Sequence, residues 1–188
     1  MNIYKCLNTQ EFVSGEYKIV PIRLNDRFTI MVWRNEQLYH LRQKHPLTVE
    51  DQDNYFSNVV SKIFDEDQPK QILFSFLEND ICIGYGGLVH INWTEKNAEI
   101  SFIMDTKLEK DSFEEIWLIY LDLIDQVAFN DLKFIKIYTY AFDLRPNLFK
   151  VLETSGFKLE NNLKNIQRSE KGKVLIHSKQ HPKNQSLF

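Results

Sequence analysis

From Asp105 to Phe157 the sequence sets a loop, a long helix, a strand and a short helix in an order that few folds accept. Ile116, Ile119, Tyr120, Leu123 and Val127 recur at helical spacing, so this helix has one apolar face and belongs on a sheet. Ser112 and Glu115 form the pattern of a capping box, in which the hydroxyl accepts from the amide three residues on and the carboxylate reaches back. Residues Phe134 to Ala141 have the aromatic and β-branched content of a strand, after a connection short enough for an α/β unit. Pro146 suits a first helical turn, Leu148, Val151 and Leu152 follow on one side, and Gly156 before Phe157 offers the positive φ that ends a helix.

The upstream half reads as strands with two helices. Residues 1–16 are an N-terminal arm or an edge strand. Tyr17 to Leu24 alternates as a strand, Asn25 is placed to cap a helix burying Phe28, Met31 and Val32, and Thr48 to cap a second with Phe56, Val59, Val60, Ile63 and Phe64 on one face. The segment between the helices, residues 36–47, lacks periodicity and carries Tyr39, His40, Arg42, Lys44 and His45. It is either a solvated loop or part of a binding surface. Ile72 to Leu77 and Ile81 to Ile91 form two apolar strands around a hairpin-like turn at Glu78 to Asp80. Gly84, Gly86 and Gly87 interrupt the second, marking a bulge or the close approach of another backbone. Along Asn97 to Met104, alternation sets Glu99, Ser101 and Ile103 against Ala98, Ile100, Phe102 and Met104. Two more strands are expected near Leu159 to Gln167 and Lys173 to Lys179, and residues 181–188 read as a polar tail.

The chain has 188 residues, enough for one substantial core, and we expect a single domain over residues 17–180. A net charge of −3, with both signs mixed along the sequence, gives no electrostatic footprint for nucleic acid. Cys6 and Cys82 lack the spacing of a metal site or a disulfide framework, so no metal is expected and both thiols should be reduced. Without an N-terminal apolar run behind a basic patch, or a span of about 20 apolar residues, no membrane partner is expected and the cytoplasm is the default compartment.

This order of elements resembles the C-terminal half of the GNAT family of N-acetyltransferases. Ala128-Phe129, Lys136-Ile137 and the Leu152 to Phe157 segment are similar to that family's signatures, and with Trp33, Arg34 and Asn35 the resemblance covers roughly Tyr17 to Lys179. It implies an α/β fold with a mixed, mostly antiparallel central sheet splayed near strand 4, helices on both faces, and acetyl-CoA as co-substrate. The cofactor would lie along Phe102, Ile103 and Met104, with Lys107, Lys110, Ser112 and Phe113 at its phosphates and Arg145 or Asn147 at the next helix. The acceptor would meet Trp33, Arg34, Asn35, Tyr39 and Trp93, and the protein would be a monomer or homodimer.

An amine is mostly protonated at neutral pH, so acetyl transfer needs a base. The resemblance places Glu99 on the family's strand 4 for that task. His90 is the other candidate, because imidazole titrates near neutrality; its alternative is a strand-end histidine bonded to backbone. Two departures stand out. Leu152 occupies the position of the family's proton-donating Tyr, leaving Tyr138 or Tyr140 to substitute, and the Lys107 to Phe113 loop contains none of the glycines that usually admit the pyrophosphate. Expected acceptors are a small amine or a nucleotide amino-sugar. The alternatives are a protein N-terminus, or a binding module without turnover.

Overall fold

The computed structural model describes residues 2–160, 168–169 and 172–182. Its strands are β1 (Phe12–Ser14), β2 (Tyr17–Pro21), β3 (Ile72–Glu78), β4 (Ile81–Asn92), β5 (Asn97–Met104), β6 (Lys136–Phe142), β7 (Lys158–Leu159), β8 (Arg168–Ser169) and β9 (Gly172–Gln180). They lie in the order β1-β2-β3-β4-β5-β6-β9-β7, with β8 paired to β9. Every pairing is antiparallel except that of β5 with β6, the pair joined by a helical crossover. The sheet is thus mixed and mostly antiparallel, and because β1 adds an edge strand, the expected strand 4 is β5. Residues 161–167 of the strand expected from Leu159, 170–171 of its turn, and the tail beyond Pro182 fall outside the described residues.

Helices α1 (Arg27–Glu36), α2 (Val49–Tyr55) and α3 (Ser61–Ile63) precede β3, while α4 (Phe113–Asp125) and α5 (Pro146–Thr154) flank β6 in sequence. The two faces of β5 separate them. Phe102 stacks on Tyr120 of α4 at 3.7 Å, whereas Ser101 lines a cavity with Ile30 and Arg34 of α1. The amphipathic pattern of α4 holds, with Ile116, Tyr120 and Leu123 buried together with Trp117, Leu121 and Ile124. At Gly156 (φ +86°) α5 ends, and the Phe157 amide turns back to the Leu152 carbonyl at 2.9 Å, closing the six-residue C-terminal motif that a left-handed residue permits.

β3 and β4 are joined by a two-residue turn in which Asn79 and Asp80 both take positive φ, the geometry that matches strand twist. In β4 the close approach expected of its glycines is real. A Cβ on Gly86 would sit 2.0 Å from the Ser101 carbonyl oxygen and 2.5 Å from the Tyr120 hydroxyl, so only glycine fits. Farther along, β4 advances from Val89 to Asn92 while β5 moves only from Glu99 to Asn97. The extra residue is a bulge, and His90 within it has φ +49°.

Three local expectations are corrected. Ser112 precedes α4 but makes no side-chain capping bond, so the capping box with Glu115 is absent. Its backbone (φ −125°, ψ 12°) is not extended, whereas Thr48 (φ −90°, ψ 167°) is extended and does form a capping box with Asp51. Asn25 does not cap α1, because a 3₁₀ turn over Leu24–Asp26 comes first, with the Asp26 carboxylate accepting from Arg23 and from the Ser75 hydroxyl. Ile30 and Trp33 then face the core and Val32 faces solvent. Finally, a π-helical segment at Phe56–Val60 rotates Val59 out of the apolar face that buries Phe56, Val60, Ile63 and Phe64.

The N-terminal arm is held down. Tyr4 is fully buried, its hydroxyl donating to the Leu73 carbonyl at 2.7 Å and accepting from the Leu73 amide at 2.9 Å.

Candidate active site

β5 and β6 pair at Asn97 with Lys136, Ala98 with Ile137 and Glu99 with Tyr138, and the ladder stops there. Beyond this point Ile100, Ser101 and Phe102 of one strand and Thr139 to Phe142 of the other line a cleft of about 1120 Å³. Backbone groups facing each other across such a gap need water or a ligand as partners. The splay expected near strand 4 thus begins at Glu99.

Glu99 is buried at the floor of this cleft. One carboxylate oxygen accepts from Arg42, and the other lies 3.9 Å from His90 Nε2. Arg42 Nη1 is 3.1 Å from the same His90 nitrogen, and its guanidinium lies over the Tyr140 ring, 4.0 Å from the centroid. Burial pushes the Glu99 carboxyl above the usual range, while the charges of Arg42 and His90 pull the other way. The two side chains differ in exposure, 45% for Arg42 and 10% for Glu99. The arginine, open to water, is the member that can swing aside, provided that the incoming group gives the buried carboxylate a new partner. The bulge in β4 accounts for His90 meeting Glu99. In a regular strand, the residue after Val89 would point to the opposite face from Glu99's partner.

On the other side of the cleft the Asp105 to Ser112 loop is a run of turns. Four of its eight amides are engaged internally: Lys107 to the Asp105 carboxylate at 3.0 Å, Leu108 to the Asp105 carbonyl at 3.0 Å, Glu109 to Thr106 at 3.3 Å, and Ser112 to Leu108 at 3.0 Å. A helix leaves its first four amides without intrahelical partners, and with that of Ser112 taken, those of Phe113, Glu114 and Glu115 remain for an anion. Lys107 and Lys110 are exposed on this loop. Arg145, just before α5, reaches back across the cleft mouth. It donates to Glu109, places Nη1 3.1 Å from His40 Nε2, and lies over the Phe113 ring, 4.9 Å from the centroid. Here the arginine is the hidden member, at 10% side-chain exposure against 23% for Glu109, and burial lowers its pKa against the pull of Glu109.

Of the remaining residues singled out in the sequence, Arg34 lines the cleft, donating to Gln43 at 2.8 Å and to the Tyr85 hydroxyl. Asn35 organises the loop beneath, bonding Leu47 through both its amide and its carbonyl. Trp33 is a core residue, and Trp93 donates to the Pro69 carbonyl and packs edge-on against Phe134. Neither lines the cleft, and neither do Tyr39 and Asn147, both exposed. Ile103 and Met104 are buried, and Phe102 both lines the cleft and packs on α4. Tyr138 is the register partner of Glu99, and burial with that carboxylate nearby raises its pKa. The residues missed as site members are Glu109 and the cleft-lining Lys62, Lys70, Ser101 and Thr139. Arg42 and His40 appeared only within a polar segment; that a buried carboxylate needs a partner was foreseeable, but not which residue supplies it.

Comparison with known proteins agrees with this architecture. A family model described as an acetyltransferase (GNAT) domain matches residues 19–174. No curated protein matches the sequence. Among solved structures, a spermidine N-acetyltransferase from Vibrio cholerae, in complex with CoA and spermine, superposes with a TM-score of 0.72 at 17% identity, covering 89% of this chain and 97% of its own. A ribosomal-protein-S5-alanine acetyltransferase from Vibrio fischeri gives 0.69 at 14% identity, with 92% and 97% covered. A ribosomal L7/L12 α-N-protein acetyltransferase in complex with coenzyme A gives 0.69 at 11% identity, with 90% and 96% covered. At these identities the likeness is one of fold.

Proposed function

The chain belongs to the GNAT acetyltransferase family, and from that premise we propose that it transfers an acetyl group from acetyl-CoA to the primary amine of a small acceptor, with Glu99 as general base. The observation that carries the reading is the placement of Glu99, a buried carboxylate with a raised pKa at the point where β5 and β6 part. The amine nitrogen attacks the thioester carbonyl, Glu99 takes the proton the nitrogen must lose, and the carbon–sulfur bond breaks to release the thiolate. A thiolate leaves readily, so the base carries the larger share of the catalysis. Tyr140, in the same cleft, offers a hydroxyl proton to the departing sulfur in place of the Tyr that Leu152 replaces.

The charge of the lining supports one acceptor class. Leaving aside Arg145, which is paired with Glu109, Arg34, Arg42, Lys62 and Lys70 line the cleft against Glu66 and Glu99. A cationic wall repels a polyamine and suits an amine that carries negative charge of its own, which ranks a nucleotide amino-sugar first. Acetylation of a protein N-terminus is the second reading. Thiol release from acetyl-CoA, measured with a nucleoside-diphosphate amino-sugar, spermidine and an N-terminal peptide, separates these. The first should turn over fastest, and Glu99→Gln should lower its kcat on the order of 10²-fold while CoA affinity stays the same. A faster rate with the peptide would move the assignment to the second reading. CoA binding without thiol release for any amine would make the chain a binding module.

A further inference from the structure

We propose that Arg145 is the principal phosphate anchor for coenzyme A in this protein, and that Glu109 is a placeholder that the phosphate displaces. The inference rests on acetyl-CoA being the co-substrate, and it concerns how a loop without glycines holds it. The usual device, backbone amides gathered around an anion, is curtailed here, because Lys107, Leu108, Glu109 and Ser112 direct their amides into the loop itself. A guanidinium stands at the same mouth of the cleft. It is held over the Phe113 ring, 4.9 Å from the centroid, by His40 Nε2 at 3.1 Å and by the Glu109 carboxylate, with Tyr39 also in its field. A planar, permanently charged fork matches a phosphate as well as it matches a carboxylate, and binds either through two parallel bonds.

The burial of the pair tells which member moves. Arg145 is nearly enclosed and cannot leave without abandoning a charge in a poorly solvated place, whereas Glu109 sits on the exposed loop side and regains water by turning outward. A phosphate arriving at Arg145 keeps the buried guanidinium neutralised throughout, so the exchange swaps one anion for another. A carboxylate left in place would repel the phosphate, which makes the ion pair an obstacle as well as a stand-in. Ligands without phosphate have no means of displacing it.

Calorimetric titration of the full-length protein with CoA and with pantetheine tests this directly. CoA should bind the wild-type protein, bind Arg145→Gln about 10- to 100-fold more weakly, and bind Glu109→Gln about three- to tenfold more tightly. Pantetheine affinity should be the same in all three. Should Arg145→Gln fail to fold, Glu109→Gln and Arg145→Lys carry the test, the latter expected to weaken CoA binding by keeping the charge and losing the fork. Wild-type binding of CoA with equal affinity in the arginine variants, or weaker binding by Glu109→Gln, would overturn the proposal and leave the acetyltransferase reading intact. No CoA binding by the wild-type protein would overturn the reading beneath it.

Discussion

Two clusters of arginine, glutamate and histidine flank the cleft, and each is the other turned inside out. Where β5 and β6 part, the carboxylate of Glu99 is buried while Arg42 stands 45% exposed; at the mouth beside Phe113, Arg145 is the buried group and Glu109 the more accessible. Burial decides which partner stays when the pair opens, and so which chemistry the cluster presents. Opening the first leaves an anion with a raised pKa, suited to taking a proton from an amine. Opening the second leaves a fixed cation, suited to holding a phosphate. Under the proposed function, identical residue types, paired in the same way, would serve opposite halves of one reaction.

The same substitution at both glutamates should affect the two pairs in different ways. Glu99→Gln should cost turnover on the order of 10²-fold with CoA affinity unchanged, and Glu109→Gln should leave kcat within about twofold while lowering the concentration of acetyl-CoA needed for half saturation. Steady-state kinetics with both substrates varied would read this, and similar losses of kcat in both variants would show that the two pairs do not differ in kind.

A smaller effect is expected from Arg42→Gln. Arg42 opposes the upward push of burial on Glu99, so its loss should raise the carboxyl pKa further. The base works only when ionised, which moves the acid limb of the kcat/KM profile to higher pH and lowers the rate on that limb roughly three- to tenfold, with a smaller change on the alkaline plateau. An acid limb that stays in place would mean that Arg42 and Glu99 are uncoupled in the working enzyme. The smallest effect belongs to the loop lysines. Lys107→Glu and Lys110→Glu should each weaken CoA binding about two- to threefold at low salt, because both side chains lie in water where charge is screened. A loss equal to that of Arg145→Gln would return the anchor to the loop.

Much of the scaffold was legible because its signals are local. Periodicity marks α4, Pro146 and Gly156 bracket α5, Thr48 caps α2, and Asn79-Asp80 turns a hairpin. Most of what stayed hidden depended on something distant. Ser112 and Thr48 present the same cap chemistry, yet only Thr48 has the extended backbone a cap requires, since the turns before Ser112 fix its dihedrals first. His90 reaches the cleft through a bulge that exists only in register against β5. Arg42 lies 57 residues from Glu99, and Glu109 lies 36 from Arg145, so no spacing rule links either pair. The carboxylate on β5 was visible as a candidate base; its cover was not.

The phenol of Tyr4 has a consequence unrelated to catalysis. Past the pairing of Pro21 with Phe74, the Ile22 amide still donates to the Leu73 carbonyl at 3.0 Å, but among the described residues the Leu73 amide has no strand partner, and an unpaired donor at a sheet edge recruits strands from other chains. Tyr4 meets the next residue, Leu73, with a group that accepts from its amide and donates to its carbonyl, then offers nothing further to pair with. A side chain in that place ends the ladder where a strand would extend it. Without Tyr4 the Leu73 amide would stand unpartnered at this edge, a donor open to a strand from another chain.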